Sequence, residues 1–238
     1  NLKTIINSRG KMKKYLLFIA TSFALFIAPV VSNAADWTIG VTMSSNSLDT
    51  AGKEDVDSNG TIDATKNVSD DFLVGSLFLE TTMMGDKYGM TVGVDYIPFD
   101  ADIDKRSITQ STLGAKADGA ASSGTNSVSG SVEAHRTIYL QPGMSYGNGM
   151  IYATLGYVSA DLNAKSVSIT HTNKNETKSL DGTKIGVGYK AVSDSGLVLK
   201  FDFSETDYDE VSFVTSNNTT AKASLDNTAL AISIGKQF

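Results

Sequence analysis

Residues 230–238 read Leu230-Ala231-Ile232-Ser233-Ile234-Gly235-Lys236-Gln237-Phe238, and large apolar side chains alternate in them with small or polar ones. A period of two is that of a β-strand with one apolar face. Seven other stretches alternate in the same way, whereas no stretch after Asp36 keeps a helical apolar period. The sequence therefore predicts an all-β chain of eight strands, each about 9–11 residues long, the length of a tilted strand that crosses a bilayer. The apolar positions of the seven stretches are Trp37, Ile39, Val41, Met43; Leu73, Gly75, Leu77, Leu79; Tyr88, Met90, Val92, Val94, Tyr96; Ile138, Leu140, Pro142, Met144; Ile151, Ala153, Leu155, Tyr157; Ile185, Val187, Tyr189, Ala191; and Leu197, Leu199, Phe201, Phe203.

The connections between these stretches alternate strictly between short and long. Gly85-Asp86-Lys87, Gly147-Asn148-Gly149 and Ser193-Asp194-Ser195-Gly196 have the composition of tight hairpin turns. The polar segments 45–70, 99–131, 161–181 and 205–224 are much longer. This asymmetry is typical of an antiparallel up-and-down transmembrane β-barrel with short periplasmic turns and long extracellular loops.

The apolar face of the strands is predicted to contact lipid. Its one charge is Lys236, which lies close enough to the C-terminus to reach the membrane interface. The aromatic residues fall near strand ends, as interfacial girdles require. The alternative is a soluble, lipocalin-like barrel with the apolar face turned inward around a ligand. We disfavour it because the solvent face would then be rich in glycine and poor in charge.

The opposite face of the strands carries acids and lysines that would meet inside the barrel. Three acids and three lysines in a narrow lumen can pair, and buried charges are tolerable when they are paired. An interior of eight strands is just wide enough to be filled by side chains. A polar plug is therefore favoured over a selectivity filter. The predicted lumen cluster is Glu80, Asp95, Lys184, Lys190, Lys200 and Asp202.

Composition narrows the class of protein further. The formal net charge is −6, so no basic face is available for nucleic acid. The chain has no cysteine, which excludes disulfides, thiolate metal sites and cysteine nucleophiles. Residues 1–34 are predicted to be upstream residues plus a cleavable signal peptide that starts at Met12, and an uncleaved anchor is the alternative. Residues 35–238 then form one exported barrel domain.

These features together resemble the small eight-stranded outer-membrane proteins, the superfamily of the OmpA transmembrane domain, OmpX and the opacity proteins. The resemblance covers about residues 35–238. It implies an outer-membrane location, contact with outer-membrane lipid and lipopolysaccharide, and recognition by the barrel-assembly machinery. The implied assembly signal is Leu230, Ile232, Ile234 and Phe238. Two positions depart from the pattern: Lys236 is third from the end, and Pro142, inside a strand, is expected to form a bulge.

One loop resembles a calcium-binding loop. Asp55, Asp57, Asn59, Thr61 and Asp63 match ligand positions of an EF-hand-type loop, with Gly60 at the sharp turn. Lys66 occupies the twelfth position, where a bidentate glutamate belongs. The loop is either an acidic surface loop or a weak external Ca²⁺ site, and no other cofactor is expected.

The two histidines, His135 and His171, give little support for an enzyme. Ser131, Glu133 and His135 alternate on one strand, which spreads a triad over about 13 Å. We therefore expect a non-enzymatic barrel with a structural or surface-interaction role carried by acidic extracellular loops. A narrow porin-like channel or conduit is the alternative, and an outer-membrane lipid-modifying enzyme is the third hypothesis. The sequence does not name an external partner.

Overall fold

A computed structural model describes residues 36–55, 60–110, 124–167, 174–214 and 220–238. The predicted signal peptide lies outside these residues, so its boundary stays a prediction. Within the described ranges, no helix is long and apolar enough to cross a membrane.

The described residues form ten β-strands. The strands are β1 (Asp36–Asp55), β2 (Ala64–Met84), β3 (Tyr88–Tyr96), β4 (Ala101–Gln110), β5 (Gly124–Tyr146), β6 (Gly149–Val167), β7 (Lys174–Val192), β8 (Leu197–Tyr208), β9 (Val211–Val214) and β10 (Thr220–Gln237).

Eight of these strands close into a ring. The neighbours run in the order β1, β2, β3, β5, β6, β7, β8 and β10, and β10 pairs back onto β1 from Thr38↔Gln237 to Asp55↔Thr220. Every pairing is antiparallel. The two remaining strands are additions to single barrel strands: β4 pairs with β5, and β9 pairs with β10. The predicted all-β, eight-stranded, up-and-down barrel is confirmed.

The exposure of side chains alternates along the strands as the sequence predicts. Met43, Val187 and Leu230 are 66%, 58% and 62% exposed on the outer face, although all three are large and apolar. Thr38, Glu80 and Thr91 point inward and are buried. The barrel therefore has an apolar outer belt around a polar interior, the reverse of a soluble barrel.

Beyond the belt the strands continue into segments that were predicted to be long loops. Residues 45–55, 64–70, 161–167 and 174–181 belong to strands, so the predicted loop boundaries are wrong there. The physical reason is that polar and apolar side chains exchange faces along the strand. On β6, the outward side chains pass from Tyr157 to Asp161, while the inward ones pass from Thr154 to the buried Val158 and Leu162.

This part of the barrel is called the loop-end extension below. On β6 its alternation is that of a water-soluble sheet, with polar side chains outside and apolar ones inside. It comprises β4, β9 and residues 46–55, 64–72, 124–135, 158–167, 174–182, 204–208 and 220–229.

No bulge occurs at Pro142, so that expectation is wrong. Pro142 lies opposite Met90 in an unbroken β3–β5 register, and the β5–β6 register is also the same on both sides of it. Pro142 removes one donor from the ladder without the insertion of an extra residue. The register of β5 against β6 shifts instead between Glu133 and Arg136, where Ala134 has a φ of 51°.

Candidate functional site: the filled barrel interior

A buried ionic cluster fills the interior at the level of the apolar belt. The carboxylate of Glu80 lies 3.2 Å from Lys190 Nζ through one oxygen and 2.7 Å from Lys200 Nζ through the other. Tyr139 donates its hydroxyl proton to the second oxygen at 2.8 Å. All four side chains are buried. One carboxylate on β2 therefore ties together strands β5, β7 and β8 across the lumen.

Threonines complete the coordination of Lys190. Its ammonium group donates to Thr82 Oγ1 at 2.6 Å and to Thr91 Oγ1 at 3.3 Å. The ammonium of Lys200 also lies 5.0 Å above the centre of the Phe78 ring, where a cation–π interaction is favourable. Both cations are thus held by several partners, as buried charges require.

The other predicted lumen residues lie farther along the interior, towards the loop-end extension. Tyr152 donates to Asp202 Oδ1 at 2.6 Å, and Ser76 donates to Asp95 Oδ2 at 2.7 Å. Asp95, Asp202 and Lys184 line a cavity of about 50 Å³, which has room for a few water molecules. The structure places all six predicted lumen residues inside the barrel, and Glu80, Lys190 and Lys200 in direct contact.

Glycines in the wall make room for the aromatic side chains of the interior. A Cβ atom on Gly188 would lie 2.6 Å from Tyr152 Cζ, so any other residue at this position would force the Tyr152 ring to move. Tyr139 packs in the same way against Gly93. Aromatic side chains therefore fill the lumen at these two positions of the wall.

A second layer, the apolar cluster, lies inside the loop-end extension. It was not predicted, because its residues lie within or next to segments that were interpreted as loops. The available signal is the run Val158-Ser159-Ala160-Asp161-Leu162, where apolar residues take over the inward positions. Its buried members are Val158, Ala160, Leu162, Leu180, Tyr208, Val211 and Leu225, with Leu48, Val132, Phe213 and Ala223 packed against them.

The side chains of the considered catalytic triad do not converge. Ser131 donates to Glu133 at 2.8 Å, whereas His135 Nε2 is 3.0 Å from the hydroxyl of Tyr208. Burial lowers the pKa of His135 to about 4, so its imidazole is neutral at neutral pH. His171 lies outside the described residues.

The possible calcium loop is described only in part. Asp55 accepts a hydrogen bond of 2.7 Å from the backbone N–H of Gly60, which has a φ of 88°. Asp57 and Asn59 lie outside the described residues, and Asp63 and Thr61 make other interactions. No group of three or more candidate metal-ligating side chains occurs among the residues that the structure describes. The Ca²⁺ site stays a prediction.

The predicted assembly signal runs along the outer face of the belt and ends with Phe238 at the end of the barrel with short turns. Leu230, Ile232 and Ile234 are exposed within the apolar belt, and the N–H of Phe238 donates to the carbonyl of Trp37 at 2.8 Å. Lys236 turns away from the belt and donates to the carbonyl of Ser195 in a short turn. Its charge therefore reaches the edge of the belt.

A closed, eight-stranded antiparallel barrel with a polar interior and an apolar outer belt is the architecture of outer-membrane β-barrels, and this chain has that architecture. No protein-family model matches the chain, and no curated protein matches it by sequence.

Solved structures of similar fold include the following three proteins. One is Ail, the attachment invasion locus protein of Yersinia pestis, in complex with the heparin analogue sucrose octasulfate (13% identity, 85% of this chain and 99% of that chain, TM-score 0.39). Another is the outer membrane protease OmpT from Escherichia coli (9% identity, 88% and 100%, TM-score 0.46). A third is Neisserial surface protein A (8% identity, 83% and 97%, TM-score 0.28). At these values the similarity concerns the barrel fold and assigns no role.

Proposed function

We propose that this chain is a non-enzymatic outer-membrane barrel with a closed interior, which displays its loop-end extension at the cell surface for structural or interaction purposes. The short turns then face the periplasm. Lipid and lipopolysaccharide surround the apolar belt, and the C-terminal strand is the segment that the barrel-assembly machinery recognises.

The observation that carries this proposal is the filling of the interior in two successive layers. The first is the ionic cluster around Glu80, in which two lysines share one carboxylate within the belt. The second is the apolar cluster, which fills the loop-end extension as a hydrophobic core does. An ion that entered from outside would have to pass the apolar layer before it reached the polar one. This arrangement supports a closed barrel over the narrow channel.

The display of the extension can be tested because the chain has no cysteine of its own. Asn175→Cys introduces a thiol at an exposed position of β7 in the extension, and Asp194→Cys introduces one in a short turn. A membrane-impermeant maleimide should label Asn175→Cys on intact cells. It should label Asp194→Cys only after the outer membrane is permeabilised. The reverse pattern would overturn the proposed orientation.

Conductance and lipid composition test the remaining parts of the proposal. Purified barrel in planar bilayers should give no discrete conductance steps, and reproducible steps that lumen substitutions abolish would establish a channel. Lipid A from cells with and without the protein should have the same mass. A defined mass shift would establish a lipid-modifying enzyme.

A further inference from the structure

Strand β5 changes its inward face at one point, where the belt meets the loop-end extension. The register against β6 shifts between Glu133 and Arg136, where β5 has one residue more than β6. An extra residue of this kind is a β-bulge, and it turns the following side chains to the other face of the sheet. On the belt side Thr137 is buried in the lumen, and on the other side Val132 packs against the apolar cluster. The bulge contains Ala134, whose φ of 51° is unfavourable for any residue other than glycine.

His135 lies in this bulge, and its ring reaches the apolar cluster. Its Nε2 atom is 3.0 Å from the hydroxyl of Tyr208, a buried member of that cluster. The two rings meet edge to face, with centroids 6.4 Å apart. The carbonyl of His135 accepts a hydrogen bond of 2.9 Å from the N–H of Ile97. His135 therefore connects β5 to β8 and to the segment that follows β3.

The second nitrogen of the His135 ring is buried without a partner. Nδ1 has no hydrogen-bond partner among the residues that the structure describes. A neutral imidazole carries one N–H group, whereas an imidazolium carries two and a positive charge. Protonation would thus place a charge in this buried position and leave one N–H group without an acceptor, and both effects are costly.

The surroundings of His135 favour its neutral form. Burial of the ring lowers its pKa from 6.5 to about 4, and the positive charge of Lys184 on β7 adds to this shift. Burial also raises the pKa of Tyr208 on β8, so the hydroxyl beside the ring stays neutral. Charged neighbours on β5 and β6 are Glu133, Arg136 and Asp161.

Displacement of the ring would affect the extension and spare the belt. Tyr208 would lose its contact with His135, and it belongs to the same apolar cluster as Val158 and Leu180. The belt begins on the other side of the bulge, where the register of β5 against β6 is constant from Arg136 to Tyr146. The bulge therefore separates a part that His135 holds from a part that it does not.

We propose that the contact between His135 and Tyr208 is an acid-sensitive switch of the loop-end extension. When acid protonates His135, its ring leaves the position beside Tyr208, the bulge at Ala134 changes conformation, and the extension loosens while the belt stays closed. This inference goes beyond the proposed function, and neither the orientation of the barrel nor its conductance enters it.

The pH range of the switch follows from the two pKa values of His135. The pKa is about 4 in the closed extension and returns to its ordinary value of about 6.5 in the loosened one. Between these values the loosened form binds more protons, so the extension is fully stable above about pH 6.5 and loses stability as the pH falls. The loss is complete below about pH 4. Between pH 7 and pH 5 the equilibrium should shift about twentyfold towards the loosened form.

The test measures amide exchange of the full barrel in micelles at pH 7 and pH 5, with each rate corrected for the intrinsic exchange rate at that pH. Protection of residues 158–162 and 204–208 should fall about twentyfold, whereas protection of the belt residues 199–203 should change less than about twofold. An NMR titration measures the pKa of His135 directly. The chain has one other histidine, so His171→Gln assigns the two signals.

Variants of His135 separate its protonation from other effects of acid. His135→Phe keeps an aromatic ring beside Tyr208 but takes up no proton, so it should abolish the pH response. His135→Gln keeps a polar group there and should have the same result. The matched control is Glu133→Gln, which removes a carboxylate from the same strand and should keep the response. All three variants must have the electrophoretic mobility of the folded barrel.

Four outcomes would overturn the inference: protection that does not depend on pH, an equal fall of protection in both His135 variants, an equal fall in the belt, or a pKa of His135 at or above 6.5. A response that Glu133→Gln abolishes would assign the effect to the carboxylate and would overturn it as well. None of these results changes the labelling or the conductance that test the proposed function.

Discussion

Replacement of Glu80 by glutamine should strongly destabilise the barrel. The substitution keeps the shape of the side chain but removes the negative charge that Lys190 and Lys200 share at 3.2 and 2.7 Å. It also turns an amide group towards at least one ammonium group. Removal of one partner from a buried ion pair costs about 3–5 kcal/mol, because it leaves an uncompensated buried charge. Here two cations lose their partner, so we expect the upper part of that range.

The assay is urea unfolding of the barrel in micelles, followed by the mobility of unboiled samples on SDS gels. A loss of about 4 kcal/mol corresponds to a shift of nearly a thousandfold in the folding equilibrium constant. Glu205→Gln, at an exposed outward position of β8, is the matched control and should change stability by less than about 0.5 kcal/mol.

A double variant tests the physical reason for this loss. Lys200→Met removes one of the two cations that Glu80→Gln leaves without a counter-charge. The double variant should therefore lose less unfolding free energy than the sum of the losses of the two single variants. If Glu80→Gln unfolds within about 0.5 kcal/mol of the wild type, the ionic cluster does not hold the barrel closed. Strict additivity of the two substitutions would contradict the electrostatic explanation.

Three further predictions concern the belt, the apolar cluster and the surface. Val187→Lys on the outer face of the belt should cost about 2–4 kcal/mol in lipid bilayers, whereas Ser179→Lys in the extension should cost little, and equal effects would argue against lipid contact. Leu180→Ala should cost about 2–5 kcal/mol and speed amide exchange in the extension before the belt, and unchanged exchange would show that the cluster is not a core. The hydrogen bond from Lys178 lowers the pKa of Glu176, so Lys178→Ala should raise it in an NMR titration. Because the pKa of Glu176 is depressed on folding, the pair stabilises the folded state above about pH 4.3, and this stabilisation is lost as pH falls through the folded pKa. The stabilisation by this exposed pair should stay below about 1 kcal/mol. A larger effect would contradict the screening of the pair by solvent.

Period-two alternation predicted most of the barrel because lipid and lumen impose opposite polarity on neighbouring residues. The rule placed Val187 outside and Lys190 inside from the sequence alone. It also located Glu80 in the lumen, although the choice of Lys190 and Lys200 as its partners depends on which strands face each other across the barrel. The sequence does not show which strands face each other across the lumen.

The sequence pattern did not predict the loop-end extension, because polar and apolar residues exchange faces there. Val158 and Leu162 take inward positions that polar residues hold within the belt, and polar residues such as Asp161 move outside. A search for apolar outward faces ends at Tyr157 and classifies everything beyond it as loop. The end of the β2–β3 pairing at Leu77↔Tyr96 was not predicted for another reason: it depends on the path of the chain after Tyr96, and no local pattern encodes that path.

The most direct test of the central claim is the heat-modifiability of the protein in isolated outer membranes. The fraction is run on SDS gels with and without boiling, and the protein is detected by immunoblot. A closed, hydrogen-bonded barrel should resist SDS until it is boiled, so the unboiled band should migrate differently from the boiled one. A protein that is absent from the outer membrane and soluble in the periplasm, with one mobility under both conditions, would contradict the account.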